Sequence, residues 1–221
     1  MEKEKIVIWG ASGHGLVAYD VALQSNYDII GWIDSYKETN TEVKSLKVLG
    51  GTTELLNLFN ERVFSKIFIA ISNNYRRFLA AQELFHQFNE DIFINLVHPK
   101  ATIGVGVEMG VGNLIMPNSV VGAFSKLGNF CILNTNSSID HECIIHDYVS
   151  ILPNSSLAGN VSVGARTCIA MGCNVVHNVK IGEDSLIGAG SLVINSIPEL
   201  VVAYGHPAKI IRPRKIEDRH F

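Results

Sequence analysis

Apolar residues recur at every sixth position over most of the second half of the chain. Counting in sixes from Ile103 to Val193 gives sixteen positions, and each is aliphatic or methionine, with no insertion. An amphipathic helix repeats its apolar positions every 3.6 residues and therefore does not fit. A period of six instead predicts a triangular coil, in which each hexad forms one short strand and one turn and three hexads close a rung. The positions are Ile103, Met109, Ile115, Val121, Leu127, Leu133, Ile139, Ile145, Ile151, Leu157, Val163, Ile169, Val175, Ile181, Ile187 and Val193.

A second position, four residues after the aliphatic one, holds mostly small side chains, and we expect it to face the inside of the coil as well. Its occupants are Val107, Asn113, Ser119, Ser125, Cys131, Ser137, Cys143, Val149, Ser155, Val161, Thr167, Cys173, Val179, Ser185, Ser191 and Ile197. The position directly after the aliphatic residue is often Gly, Ala, Asn or Asp, which predicts a turn that needs a small or αL-tolerant residue there. This pattern resembles the left-handed parallel β-helix of the hexapeptide-repeat transferases.

The first part of the chain has a different pattern, in which short apolar runs alternate with helical segments. Strands are predicted at IVIWG and at residues 29–33 and 66–71, and helices at residues 16–26 and after residue 74. Such alternation predicts a small parallel α/β sheet. The predicted architecture is therefore an α/β Rossmann-like domain over residues 1–97, followed by an all-β left-handed parallel β-helix over residues 98–221 that includes a C-terminal tail.

Polar and glycine-rich segments follow the predicted strands of the first domain. Gly10 to Gly15 (GASGHG) follows the first strand, Asp34 ends the second, and Ser72 to Asn74 follows the third. Ligands of parallel α/β sheets bind beyond the carboxyl ends of the strands, and glycines let the backbone approach a phosphate. The glycine spacing is GxxGxG and not GxGxxG, so an NAD site is only weakly indicated. A plain tight turn is the alternative reading of these glycines.

Composition and charge exclude several classes of protein. The net charge of −3 gives no basic field, so we expect neither nucleic acid nor a membrane as a partner. The first apolar run is too short for a signal peptide, which predicts a cytoplasmic protein. The four cysteines, Cys131, Cys143, Cys168 and Cys173, lack zinc-ligand spacing, so we predict small interior residues, no metal and no acyl-enzyme thiolate.

Four segments together resemble one enzyme family over nearly the whole chain. They are GASGHGLV at residues 10–17, the hexads, ILNTNSSIDHEC at residues 132–143 and GHPAK at residues 205–209. The chain resembles the hexapeptide-repeat sugar acyltransferases of bacterial surface-glycan and sialic acid pathways, and most of all the UDP-4-amino-sugar N-acetyltransferases of bacillosamine biosynthesis. The resemblance implies a homotrimer, a nucleotide-sugar held by the first domain and acetyl-CoA held between neighbouring β-helices.

The same resemblance implies roles for individual residues. His141 matches the catalytic base, and Glu142 matches the acid that follows it. Implied contacts to the sugar nucleotide are Gly13, His14, Gly15, Asp34, Asn73 and Asn74, and implied contacts to the coenzyme are Gly159, His177, Ala189 and Lys209. Where many relatives carry a second His, this chain has Ser150, so that supporting role is absent or is taken by His146.

The 18-residue register places His141 without reference to the family. Ala123, His141, Gly159, His177 and Asn195 are 18 residues apart and should stack along one edge. Stacked strands are about 4.8 Å apart, so His141 and His177 should be roughly 10 Å apart across Gly159. A coenzyme arm could pass over Gly159, whereas a solvated turn residue is the favoured reading of His177.

These residues suit acetyl transfer to an amine, because a His near an attacking amine can accept its proton. The predicted function is N-acetylation of a nucleotide-linked amino sugar. Two alternatives stay open, namely O-acetylation of sialic acid or another sugar hydroxyl, and a non-catalytic β-helix binding protein. The tail from Lys209 either meets the coenzyme phosphates or is a solvated end.

Overall fold

The computed structural model describes residues 3–218 and contains an α/β domain followed by a β-helix. The elements of the α/β domain are β1 (Lys5–Trp9), α1 (Gly13–Gln24), β2 (Asp28–Ile33), β3 (Glu42–Val43), β4 (Leu46–Gly50), α2 (Leu55–Asn60), β5 (Lys66–Ile69), α3 (Asn74–Phe85) and a 3-10 turn (Glu90–Ile92). Those of the β-helix are β6 (Leu96–Val97), β7 (Thr102–Ile103), β8 (Glu108–Met109), β9 (Leu114–Ile115), β10 (Val120–Val121), β11 (Lys126–Leu127), β12 (Ile132–Leu133), β13 (Ser138–Ile139), β14 (Ile144–Ile145), β15 (Ser150–Ile151), β16 (Ser156–Leu157), β17 (Ser162–Val163), β18 (Cys168–Ile169), β19 (Asn174–Val175), β20 (Lys180–Ile181), β21 (Leu186–Ile187), β22 (Leu192–Val193), β23 (Val201–Gly205) and β24 (Ala208–Pro213).

The α/β domain is built on a sheet with the strand order β3-β4-β2-β1-β5. Strands β4, β2, β1 and β5 are parallel, as the sequence predicts, and β3 adds an antiparallel edge. Helix α1 begins at Gly13, three residues before the predicted start, because the glycine turn itself enters the helix. The predicted boundary after residue 97 lies just beyond β6, which already pairs with β9 of the β-helix.

The β-helix has three parallel sheets, one for each face of the triangle. The first face has the order β22-β19-β16-β13-β10-β7, the second β20-β17-β14-β11-β8, and the third runs from β6 to β21 and ends with the hairpin β23-β24. Paired residues are 18 apart, as in Ser138 with Ser156. The left-handed parallel β-helix predicted from the period of six is therefore confirmed.

The two repeating positions fill the interior in different ways. From Ile115 to Val193 every aliphatic position is buried in one continuous core. At several of the small positions the side chain also donates a hydrogen bond to a carbonyl of the next rung, as from Ser155 Oγ to Ala170 O at 2.7 Å and Cys143 Sγ to Ala158 O at 3.3 Å. Serine and cysteine at this position thus contribute a hydrogen bond as well as a small volume.

The turn residues correct one expectation. The left-handed conformation falls three residues after the aliphatic position, as at Asn118 and Asn136, and not directly after it. Glycine directly after the aliphatic residue has another cause, because a Cβ on Gly122 would lie 2.5 Å from the backbone carbon of Asp140 in the next rung. Glycine at position 122 therefore allows the close approach of the next rung, whereas Asp140 and Ala158 show that other rungs accept a side chain at the same position.

All four cysteines are buried, as predicted. Burial raises the pKa of Cys131 and of Cys168 to about 12, and it also raises the pKa of Cys143 and of Cys173. The thiols are therefore protonated at neutral pH and do not serve as nucleophiles.

Three corners separate the faces of the β-helix. The histidine corner, between the first and second faces, carries Ala123, His141, Gly159, His177 and Asn195. The junction corner, between the second and third faces, carries Phe130, Tyr148 and Arg166, and the third corner carries Ala189.

The α/β domain covers the junction corner and the third face. Phe130 and Tyr148 stack with ring centroids 5.3 Å apart and pack against Phe93 and Phe78 of the first domain. Both stacked residues have a positive φ, which bulky side chains seldom adopt. The histidine corner lies at the far edge of the second face, away from this junction.

No helix within residues 3–218 is both long enough and apolar enough to cross a membrane.

Candidate active site

A cleft of about 750 Å³ opens at the carboxyl ends of the strands in the α/β domain, where the sequence predicts a ligand. Gly10, Ser12, Asp34, Ser72 and Asn73 line it, so the three loops expected to converge do converge. Every residue that lines the cleft lies between Trp9 and Glu83, and the β-helix contributes none of them. The cleft belongs to the α/β domain alone.

Asp34 joins two of these loops. Its carboxylate accepts hydrogen bonds from the backbone N–H of Ala11 and of Tyr36, both at 2.9 Å. The side chain is nearly buried, so its first task is to hold the glycine turn and the loop after β2 in position. The ring of Tyr36, in contrast, is 98% exposed at the rim of the cleft.

The two glycines of the first helical turn have different surroundings. A Cβ on Gly13 would meet nothing within 4 Å, so a ligand could approach this exposed backbone. A Cβ on Gly15 would lie 1.9 Å from the carbonyl oxygen of Gly10. Gly15 is thus required for packing α1 on β1, and a ligand contact by Gly15 could involve only its backbone.

His14 is partly buried and its Nε2 atom has no hydrogen-bond partner among the described residues. Burial, with the positive charge of Arg77 adding to it, lowers the pKa of His14 to about 4. The imidazole is therefore neutral at physiological pH. It does not line the cleft itself.

The two adjacent asparagines, Asn73 and Asn74, also have different surroundings. Asn73 lines the cleft and caps α3, with its side-chain oxygen accepting from the Arg76 N–H at 2.9 Å. Asn74 is fully buried, and its amide donates to the carbonyls of Arg166 and Thr167 in the β-helix at 3.0 Å each. The predicted substrate contact by Asn74 is therefore wrong, because this side chain ties the two domains together.

The His141 side chain is about half exposed on the histidine corner. Its Nδ1 lies 3.0 Å from a carboxylate oxygen of Glu142, a residue with a positive φ of 56°. The backbone N–H of His141 donates to Asp140 at 2.8 Å. The pair expected from the sequence is thus in contact, and among residues 3–218 the Nε2 atom has no hydrogen-bond partner.

Gly159 forms the surface on which the imidazole rests. A Cβ at this position would lie 2.4 Å from Nε2 and 2.5 Å from Cε1 of His141. The predicted stacking of position 141 on position 159 is therefore present, and the ring itself occupies the space above Gly159. Any side chain at Gly159 would displace the imidazole.

The other predicted coenzyme contacts do not share one corner. His177 is exposed one rung beyond Gly159, on the histidine corner. Ala189 is exposed on the third corner, at the opposite edge of the first face, and Lys209 is exposed on the nearby hairpin strand β24. The four predicted coenzyme contacts therefore lie in two places, with Gly159 and His177 on the histidine corner and Ala189 and Lys209 near the third corner. Residues that share a corner are 18 apart, whereas Ala189 is only 12 residues from His177.

Neither residue considered for a second histidine lies near His141. Ser150 is buried at the domain junction, where its hydroxyl donates to Asn74 at 2.6 Å. His146 is exposed at the junction corner, at the other end of β14. Ser150 thus has a structural role here, and His146 is not placed to support His141 within the same chain.

The basic tail is largely part of the fold. Arg214 is buried and donates to the carbonyl of Asp184 at 2.6 Å, and Arg212 pairs with Asp218 at 3.2 Å. Lys209 and Lys215 remain exposed. Residues 219–221 of the predicted tail lie outside the described residues.

Two features in or beneath the cleft were not predicted from the sequence. The first is the exposed pair of Tyr36 and Arg76 at the cleft wall, which no motif marks. The second is the buried Arg77 beneath the cleft, which looks in the sequence like any basic residue of a solvated helix. Within residues 3–218 no cluster of His, Cys, Asp and Glu side chains is arranged to hold a metal ion.

The described geometry matches known acetyltransferases. The family model of the PglD N-terminal domain matches residues 5–84. The crystal structure of PerB from Caulobacter crescentus in complex with CoA and GDP-perosamine is 32% identical and has a TM-score of 0.87, with coverage of 94% of this chain and 97% of that one. A histidine-to-asparagine variant of perosamine N-acetyltransferase from the same organism, also with CoA and GDP-perosamine, is 31% identical over the same shares with a TM-score of 0.86.

A third similar structure is the acetyltransferase domain of PglB from Neisseria gonorrhoeae FA1090 in complex with acetyl coenzyme A. It is 29% identical and has a TM-score of 0.85, with coverage of 95% of this chain and 100% of that domain. Identity above 30% over nearly the whole length, together with both domains of the fold, confirms the family predicted from the motifs. The chain is an acyltransferase and belongs to the hexapeptide-repeat family of sugar acetyltransferases.

Proposed function

We propose that this chain transfers the acetyl group of acetyl-CoA to the amino group of a nucleotide-linked amino sugar, with His141 as the general base. The observation that carries the proposal is the exposed imidazole on the histidine corner, with Nδ1 held by Glu142 and Nε2 free. A histidine oriented in this way by a carboxylate is a recurrent general base.

The proposed chemistry is a direct transfer. The sugar amine attacks the thioester carbon, so that a C–N bond forms, and the tetrahedral intermediate then collapses with cleavage of the C–S bond. The proton of the attacking nitrogen passes to Nε2 of His141. The Nδ1–H group donates a hydrogen bond to the Glu142 carboxylate, which stabilises the imidazolium. The proton then passes to the departing thiolate of CoA, which restores the neutral histidine.

The cleft of the α/β domain is the proposed nucleotide-sugar site. The polar side chain of Asn73 and the exposed ring of Tyr36 in the cleft suit a sugar and a base, respectively. The open backbone of Gly13, next to the cleft residue Ser12, suits a phosphate. Asp34 supports the site by holding its loops. We propose that His14 shapes the turn without contacting the ligand.

The comparisons support this substrate class. One similar enzyme is named for perosamine N-acetylation and was crystallised with CoA and GDP-perosamine, and another similar domain was crystallised with acetyl-CoA. A GDP-linked amino sugar is therefore a candidate substrate, together with the UDP-linked 4-amino sugar suggested by the sequence. Acetyl-CoA is the acyl donor.

A thiol-release assay tests the proposal. Purified chain is mixed with acetyl-CoA and UDP-, GDP- or dTDP-linked amino sugars, each beside the matching sugar with a hydroxyl in place of the amine. We expect CoA release with at least one amino sugar and none with its hydroxyl partner. Release with the hydroxyl sugars alone would assign O-acetylation, and no release with any sugar would contradict the proposed substrate class.

A further inference from the structure

A fully buried guanidinium lies at the centre of the domain junction. Arg77 of α3 is 1% exposed. Its three nitrogens lie within hydrogen-bonding distance of six oxygens, namely the carbonyls of Phe130, Ile71, Ser72 and Tyr148, the amide oxygen of Asn74 and the hydroxyl of Ser150. None of these oxygens carries a formal charge.

No counter-ion compensates this charge within residues 3–218. Burial lowers the pKa of Arg77 to about 10, so the group remains charged at neutral pH. The titratable groups that raise its pKa are the thiols of Cys131 and Cys168 and the phenol of Tyr148. Burial raises the pKa of each of these groups to about 12, so all three are neutral. Burying an unpaired charge is costly, and neutral hydrogen-bond donors could hold the same carbonyls.

The charge lies directly beneath the floor of the cleft. Nη1 donates to the carbonyl of Ile71 at 2.7 Å and to that of Ser72 at 3.0 Å, and both residues line the cleft. Because the C=O and N–H of a trans peptide point in opposite directions, the N–H groups of Ser72 and Asn73 are turned away from Arg77. An anion bound by either N–H would lie roughly 8 Å from the guanidinium, the sum of two hydrogen bonds and one peptide width.

We propose that Arg77 is a positioning residue for the nucleotide-sugar site: it orients the Ile71–Ser72 floor and supplies the buried positive charge that favours the ligand's diphosphate. This inference rests on the proposed function, because it assumes that the cleft takes a nucleoside diphosphate-sugar. It also gives the uncompensated charge a partner, namely the ligand.

The test separates charge from structure. Binding of UDP and GDP, and of uridine and guanosine, is measured by ligand-observed NMR in the wild type and in Arg77→Gln and Arg77→Lys, with circular dichroism as the check of folding. A unit charge at about 8 Å predicts that Arg77→Gln weakens diphosphate binding about tenfold and leaves nucleoside binding unchanged. Arg77→Lys keeps the charge, so its ratio of diphosphate affinity to nucleoside affinity should stay near that of the wild type.

Two control variants sharpen the result. Ser150→Ala removes a bond at the junction without changing charge and should leave the ratio unaltered. Arg76→Gln removes the neighbouring exposed charge, and its effect should shrink at high salt, whereas the effect of the buried Arg77 should persist.

Each outcome bears on the inference. If Arg77→Gln weakens nucleoside binding and diphosphate binding equally, Arg77 has a structural role only. The same conclusion follows if a folded Arg77→Lys loses the preference for the diphosphate over the nucleoside tenfold. If Arg77→Gln does not fold, Arg77→Lys decides alone, and an unfolded Arg77→Lys would also count against the inference. Absence of UDP and GDP binding in the wild type would instead contradict the proposed function, with no variant involved.

Discussion

Gly159 and His141 form a pair in which the smaller residue determines the position of the larger. The imidazole rests on the Gly159 backbone, where a Cβ would come within 2.4 Å of Nε2. We predict that Gly159→Ala lowers kcat by about 10², because displacements of about 1 Å at a catalytic group can have that effect. The measurement is steady-state kinetics. Ala123, at the equivalent position two rungs earlier, shows that this corner accepts a Cβ, so the variant should fold.

The histidine itself gives a second prediction. His141→Ala should lower kcat by on the order of 10²–10⁴, the range for a lost general base, with little change in KM for acetyl-CoA. Part of the activity should return at high pH, because more of the substrate amine is then unprotonated. His177→Ala is the matched control on the same corner and should change kcat little. Near-normal turnover of His141→Ala at neutral pH would exclude it as the base.

His14 makes stability depend on pH. Its pKa is about 4 in the folded chain, chiefly through burial, against 6.5 in the unfolded chain. Between these values the unfolded chain binds a proton that the folded chain does not, so the free energy of unfolding falls as the pH falls from 6.5 to 4.

We predict a loss of about 1–3 kcal/mol across that window. Urea denaturation of the wild type and of His14→Gln at several pH values measures it, and the variant should lose less stability on acidification. His177→Gln, which replaces an exposed histidine, should behave like the wild type. Identical acid sensitivity in all three chains would show that His14 contributes nothing.

At the scale of elements, the two glycines in the turn from β1 into α1 have different roles, Gly15 in packing and Gly13 in the proposed ligand binding. Gly15→Ala should destabilise the chain by about 1–3 kcal/mol, because the new Cβ overlaps the Gly10 carbonyl. Gly13→Ala should fold normally, since the space around it is open, and Gly13→Leu should weaken nucleotide-sugar binding without changing the affinity for acetyl-CoA. Thermal unfolding and separate titrations with each ligand measure these effects. Equal weakening of both ligands by Gly13→Leu would place the sugar nucleotide elsewhere.

The elements also show what the sequence could predict. The β-helix was predictable because a period of six is enforced by stacking at every rung, and the same register placed His141 above Gly159. The roles of Asn73 and Asn74 were not separable, because adjacent residues at a helix start point in different directions. Arg77 could not be recognised either, since its burial depends on Phe130 and Tyr148, more than fifty residues away.

At the scale of the whole molecule, the cleft and the candidate base are on different parts of one chain. The α/β domain covers the junction corner and the third face, while His141 lies beyond the second face. The two uncovered faces that meet at the histidine corner carry exposed apolar side chains, among them Val120, Ile144 and Ile194. We therefore predict a homotrimer in which these faces are in contact, to be tested by light scattering. A stable, active monomer would contradict it.

A trimer also predicts that active sites are shared between subunits. We expect the cleft of one subunit to present its sugar to His141 of a neighbour, because no corner of the same subunit brings the two together. Subunits carrying His141→Ala and subunits carrying Gly13→Trp should each be nearly inactive as pure trimers. Random mixing of the two in equal amounts pairs an intact cleft with an intact histidine in about one site of four, so about a quarter of wild-type activity should return. Mixed trimers, verified by differential tagging, that stay as inactive as the parents would show that cleft and base act within one chain.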